Sequence, residues 1–269
     1  MMKRFYISIA LLLMLLLPHA AKADVLSTWT WTSTVDSQTV SGDAVFSTDY
    51  VGSSQYDLVI QLYNNAAETP QTTAQILTGL VFNISSGGPG SGLTLVTASA
   101  PDGLFNTDPA TGAGLGSGGA NICGPNGTYN TCSNTVSGGW EAAYSATGLT
   151  TGGTTWASST NYGIGTSGLA LFNEGNIGTS QYGIAPSIGI SSATSELPYT
   201  DYYATLTLSG LTNADPVISG VIAAYGATPE GSPEGTSSPN GDTPEPATYI
   251  TLLTGCLLLA LARRWRLAN

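Results

Sequence analysis

Apolar residues in this chain recur at every second position in short runs, and glycine clusters separate the runs. Trp29, Trp31 and Val35 fall on one face of an extended segment whose other face is Thr28, Thr30, Thr32 and Thr34. Leu58, Ile60 and Leu62 alternate in the same way with Val59, Gln61 and Tyr63. A period of two is that of a β-strand, where successive side chains point to opposite faces. The same reading predicts strands over 40–47, 76–84, 93–98, 140–146, 169–172, 184–190, 202–208 and 217–225. Threonine, valine and tyrosine suit such strands, because β-branched and aromatic groups fit a pleated, half-buried surface. Alternation with a polar outer face predicts antiparallel strands around one core, hence an all-β sandwich or jelly roll with long Gly-rich loops. The 34 glycines supply the turns. A parallel β-helix would need one sustained period. The local echoes, such as Tyr162-Gly163-Ile164 with Tyr182-Gly183-Ile184, recur at spacings that disagree.

Two apolar runs break this pattern, one at each end. Residues 5–17 follow Lys3-Arg4 and stop at Pro18, and Ala21-Lys22-Ala23 has the small-x-small form of a cleavage site. That order predicts a signal peptide over 1–23, with Ala21 and Ala23 read by the peptidase and Asp24 first in the mature chain. The second run, 247–262, is 16 residues long, or about 24 Å as a helix, enough for a slightly short transmembrane helix. Pro244-Glu245-Pro246 precedes it, and Arg263-Arg264-Trp265-Arg266 follows. This tripartite order resembles the PEP-CTERM sorting signal of bacterial exported proteins. The resemblance covers the final tenth of the chain, 244–269, with a signal peptide as its companion. It implies an exosortase-type processing enzyme as partner and Pro244, Glu245 and Pro246 as the recognition triplet. Arg263, Arg264 and Arg266 would be the cytoplasmic stop. It further implies transient residence in the inner membrane, followed by the cell surface or an extracellular matrix, often alongside exopolysaccharide or biofilm.

Charge sharpens the picture between these ends. All six Lys and Arg and the one His lie in the terminal segments, so 24–262 contains no cationic side chain at all. Of 17 acidic residues, only Glu245 lies outside 24–242. Nucleophilic triads that need an imidazole are therefore excluded from the body. So are histidine-ligated zinc and nucleic-acid binding, which needs cations to offset phosphate. Two chemistries survive. Paired carboxylates could cleave glycosidic bonds, yet no spacing singles out a pair among Glu141, Glu174 and Glu196. Calcium takes carboxylate oxygens, but Asp102, Asn106 and Asp108 form only a loose group. The expectation is a non-enzymatic protein with no catalytic residues, no metal ligands and no cofactor, with calcium as the one candidate.

Residues 85–92 and 102–139 are rich in Gly, Ser, Asn and Pro and too polar for a core. Within the second, Cys123 and Cys132 flank Gly124-Pro125-Asn126-Gly127. In an oxidising compartment they are expected to close the loop as a disulfide. Residues 227–243 are a Pro/Gly/Ser/acidic tract, read as a disordered linker between a β ectodomain over 24–226 and the tail. Two functional readings follow. One is an exported non-catalytic surface or matrix protein. The other is a carbohydrate-binding module, with Trp140, Trp156, Tyr162 and Tyr182 beside the long loops as stacking platforms for an extracellular polysaccharide.

Overall fold

A computed structural model describes residues 24–35, 37–66, 73–86, 88–105, 119–123, 139–151, 154–155, 160–166, 182–186, 198–226 and 234–238. Its strands are β1 (Asp24–Val35), β2 (Gln38–Gly52), β3 (Gln55–Asn64), β4 (Leu77–Ser86), β5 (Thr94–Ala100), β6 (Leu104–Phe105), β7 (Ala120–Asn121) and β8 (Trp140–Tyr144). They continue with β9 (Thr150–Thr151), β10 (Thr154–Thr155), β11 (Tyr162–Thr166), β12 (Ile184–Ala185), β13 (Tyr199–Asp201), β14 (Tyr203–Leu211), β15 (Val217–Tyr225) and β16 (Thr236–Ser238). Among the described residues the only helix is one 3-10 turn at Thr73–Gln75, so the protein is all-β. The alternation read in the sequence sets which side chains go inward. Leu58, Ile60 and Leu62 are wholly buried, while Val59, Gln61 and Tyr63 are half-exposed.

The first sheet runs β16-β1-β2-β3-β14-β5-β7, with every pair antiparallel. The second is built on β4, which pairs with β15, β11 and β12. Beyond these lie β8, β13 and β6. One feature departs from the all-antiparallel expectation, since β12 and β13 run parallel. A single hydrophobic cluster draws on both sheets, including Trp31, Phe46 and Leu206 from the first and Phe82, Ile164 and Tyr225 from the second. The rings of Phe46 and Phe82 meet edge-on at 5.3 Å, the arrangement their quadrupoles favour. The Trp31 indole N–H donates to the Tyr225 hydroxyl at 2.9 Å, and that hydroxyl donates to the Ser41 carbonyl at 3.1 Å. Asn64, fully buried, donates from its amide to the carbonyls of Gln75 and Ile184 at 2.8 and 2.7 Å. These bonds satisfy polar groups that would otherwise be buried at a cost of about 1–3 kcal/mol each.

Tight turns hold the long strands in register. Between β2 and β3, Ser53 and Ser54 both take positive φ, 51° and 59°. That is the geometry of the two-residue hairpin turns whose twist matches the flanking strands. Gly42 is required for a different reason: a Cβ there would stand 2.5 Å from the Tyr63 carbonyl oxygen and 2.7 Å from the Trp31 ring.

The linker reading of 227–243 needs correction over its described part. Glu234 bridges to Ile222 of β15, and β16 pairs with β1 through Thr28, Trp29 and Thr30. Ser and Thr in extended conformation can complete the open edge of β1, and the Gly235 N–H donates to the Val221 carbonyl at 2.8 Å. The compact β unit accordingly runs to Ser238 rather than ending near 226. The predicted strand over 169–172 and most of 184–190 lie outside the described residues, as do the signal segment 1–23 and the tail 244–269 with its apolar run 247–262. No described helix is long and apolar enough to cross a membrane.

Candidate functional site

Of the aromatic residues singled out as sugar platforms, Trp140 and Tyr162 are core residues and Tyr182 packs partly buried against that core. Trp140 is fully buried at the start of β8, and its indole N–H donates to the Tyr182 carbonyl at 2.8 Å. Tyr162 is 5% exposed, stacks on Phe82 at 5.8 Å and meets Tyr144 at 5.0 Å. Its hydroxyl donates to the Pro89 carbonyl at 2.7 Å, which pins the 88–92 turn to the sheet. Tyr182 is half-buried against the core at φ 61°. Trp156 lies outside the described residues. The correction has a simple cause. Aromatic residues next to glycine-rich loops are where a thin β core gains the most buried area, so they anchor the loops inward.

Other expectations are partly covered. Cys123 is disulfide-bonded and 1% exposed, and its N–H is held by the Asn121 side chain at 2.9 Å. Its neighbour across an isolated bridge is Trp140. A Cβ on Gly139 would lie 2.5 Å from the Ile122 carbonyl oxygen, so only glycine fits beside the half-cystine. Cys132 lies outside the described residues. Glu141 sits half-buried on β8, and Asp102 is exposed before β6. Glu174, Glu196, Asn106 and Asp108 lie outside the described residues, as do Ala21, Ala23, Pro244, Glu245, Pro246, Arg263, Arg264 and Arg266. Asp24, the expected mature N-terminus, is the first residue of β1. No group of three or more His, Cys, Asp or Glu side chains suited to a metal occurs among the described residues.

The fold assembles a different cluster, one the sequence did not reveal. Tyr63 on β3 and Tyr203 on β14 are direct cross-strand partners on the outer face of the first sheet. Their rings stack at 5.0 Å and 17°. Tyr202 occupies the bend where the chain leaves β13 of the second sheet for β14 of the first, at φ 58°. Its ring meets Tyr63 at 5.6 Å and Tyr203 at 6.0 Å, both near edge-on. A positive φ at a bulky residue costs roughly 1–2 kcal/mol. The surroundings hold it there: the Tyr202 N–H donates to the Ala185 carbonyl at 3.0 Å, and the Asn64 N–H to the Tyr202 carbonyl at 3.0 Å.

Acidic residues flank this cluster. Asp43 stands opposite Tyr63 on β2 and accepts from the Asn65 amide at 2.6 Å. Asp201 closes β13, its N–H donating to the Gly103 carbonyl at 3.0 Å, which brings the Asp102 turn alongside. One Asp201 carboxylate oxygen, Oδ1, is enclosed and has no hydrogen-bond partner. Burial pushes the Asp201 carboxyl up to about 6, with Asp102 adding to the effect. The Tyr63 and Tyr203 hydroxyls are likewise raised, first by burial and then by neighbouring tyrosines and Asp102 for Tyr63, and by Asp102 for Tyr203. The result is a hydroxyl-rimmed aromatic corner with hydrogen-bond acceptors in excess of donors. The sequence shows Tyr202-Tyr203 adjacent, but only the register of β14 on β3 brings Tyr63 to them.

Comparison of the chain with protein-family models, with curated proteins and with solved structures returns no match.

Proposed function

We propose that this chain is an exported, non-enzymatic protein of the bacterial cell surface or extracellular matrix, sorted by its C-terminal tail. The observation that carries the reading is the partition of charge. Every Lys, Arg and His sits in the two terminal segments, and the body between them is uniformly anionic. Terminal cations next to apolar runs orient a chain in a membrane. A body without imidazole or ammonium lacks the general bases and anion-binding groups most enzymes depend on. An oxidised Cys123 supports an extracytoplasmic setting. In this reading Pro244–Pro246 is the recognition triplet for an exosortase-type enzyme, and 247–262 is the segment it removes. The cargo is a sandwich or jelly-roll-like unit, a reading supported by the core that both sheets share. Strand β16 makes 234–238 part of that cargo, leaving 239–243 before the triplet.

The test is mass spectrometry of protein recovered from the culture medium and from membranes. The membrane form is expected to retain the tail. The released form is expected to begin at Asp24 and to end close to Pro244–Pro246. Released protein carrying an intact 263–269 segment would overturn the sorting assignment.

A further inference from the structure

We propose that the end of the β unit led by the β2–β3 hairpin rests on the lipid surface that holds the tail, with Tyr50 and Val51 set into its interface. Strand β16 runs antiparallel to β1, with Thr236 opposite Thr30 and Ser238 opposite Thr28. The chain therefore leaves β16 heading toward Asp24, the first residue of β1. Both ends of the unit, Asp24 and Ser238, emerge at one end of one sheet edge. The β2–β3 hairpin turns at that same end, since Asp24 pairs with Thr48 and the hairpin continues past it to Gly52 and Gln55.

Exposed apolar groups gather there too. Among the described residues, the large apolar side chains most open to solvent are Val25, Tyr50, Val51, Val96 and Val217. Val25 is at the start of β1, and Tyr50 and Val51 are at the end of β2. Val96 is near the start of β5, where Thr94 pairs with Ser209 close to the end of β14. Val217 opens β15, directly after the 212–216 connection from β14. None of the five lies at the opposite end, where β1 turns into β2 and β14 begins.

Two of them form the tip. Tyr50 is 51% exposed and is braced by the ring of its cross-strand partner Tyr56 at 5.4 Å, which itself packs on the core. Val51, 54% exposed, is the extra residue of a bulge between the Tyr50–Tyr56 and Gly52–Gln55 pairs. Bulges re-aim side chains in this way. The turn itself, Gly52-Ser53-Ser54-Gln55, carries no charge. Asp49 and Asp57 pair one rung back, and alternation turns them to the face opposite Tyr50 and Tyr56.

The length of the remaining chain names the occupant. Only eight residues, 239–246, separate Ser238 from the apolar run at 247, a reach of at most about 29 Å. While that run lies in a bilayer, the point where the chain leaves β16 is held within that distance of the lipid. Such a tether makes the second contact intramolecular, so even a weak one is occupied. Tyrosine suits the interface, with its ring at the acyl boundary and its hydroxyl among the headgroups. The nearby Asp49, Asp57 and Asp215 repel anionic headgroups, so zwitterionic lipid fits best and the contact depends on the tether.

The proposal rests on the preceding reading for the membrane placement of the tail. The experiment reconstitutes the tail-bearing chain, in a Cys256→Ala background, into phosphatidylcholine vesicles containing lipid brominated near the headgroup end of its acyl chains. A bimane label is placed at Gln55→Cys on the hairpin or at Thr39→Cys at the opposite end; both positions are exposed, so neither label disturbs the core. Bromine should quench the label at 55 several-fold more than the label at 39. Tyr50→Ser with Val51→Asp should abolish that difference while the chain still floats with the vesicles. Floating chain with no quenching at 55, equal quenching at both ends, or quenching that the double substitution leaves intact overturns this proposal alone. A label at 55 whose emission shifts without bromine quenching overturns it as well, by assigning the hairpin to a second copy of the chain. A chain that does not float overturns the tail reading and this one with it.

Discussion

The centre of the core and the corner at Tyr202 are built from the same residue types and behave in opposite ways. Around Trp31 and Tyr225 the polar atoms are matched: the indole N–H, the phenol and the Ser41 carbonyl form one closed chain inside an apolar shell. Around Tyr202 the rings are half-exposed, the backbone is strained and a carboxylate oxygen lacks a donor. Aromatic and polar groups therefore do not by themselves mark a site in an all-β protein. What distinguishes the two places is whether the fold satisfies its own hydrogen-bonding groups. Where it does, the residues serve stability. Where it does not, the fold carries a cost in stability.

Substitutions can break or sharpen this contrast. The largest effect is expected for Trp31→Ala, which removes the core's cross-sheet anchor and leaves a cavity beside Gly42. A loss of about 3–5 kcal/mol in denaturant unfolding is expected, and a loss under 1 kcal/mol would mean that the sheets do not depend on this contact. Next is the covalent tie at the rim of the core. Non-reducing peptide mapping should recover Cys123 joined to Cys132. Cys132→Ser should cost about 2.5–3 kcal/mol on the loop-entropy account, and a free thiol at Cys132 would refute the pairing. Tyr225→Phe keeps the ring but strands the Trp31 N–H, so about 1–3 kcal/mol should be lost.

The corner predicts the reverse sign. The folded chain keeps a proton on Asp201 up to about pH 6, whereas the unfolded carboxyl releases it near its ordinary value of about 3.9. The folded state thus binds more protons between those values. The contribution to stability is present in full below the interval and is lost as pH rises through it. Because the side chain is partly exposed, the effect is of order 1 kcal/mol after allowance for solvent screening. Asp201→Asn should flatten that slope and stabilise the fold at pH 7 by a similar amount. Unfolding curves at pH 4, 5, 6 and 7 would read this directly, and an unchanged slope would remove Asp201 as its source.

Much of the architecture was legible in advance. The alternation at 58–63 and the Trp/Thr pattern at 28–35 are unambiguous, because a one-residue slip would turn every apolar group outward. Other features were not legible. Trp140 and Tyr162 sit beside glycine-rich stretches in sequence, yet they are buried, because loop-proximal aromatics are drawn into whatever core lies beneath them. Strand β16 lies in a Pro/Gly/Ser tract that carries no apolar period. Its order comes from the free edge of β1, which supplies backbone partners to any extended segment that reaches it. The tyrosine corner joins positions 63 and 202–203, which nothing local connects.

Composition and periodicity alone determined that the body of this protein is β-structured, anionic and devoid of basic or imidazole chemistry, since both depend only on which residues are present and how they alternate. The tertiary structure decided which aromatics face inward, where the last strand attaches and which carboxylate is left without a donor. Those outcomes arise from strand pairing between distant segments, and a linear pattern carries no record of which strands become neighbours.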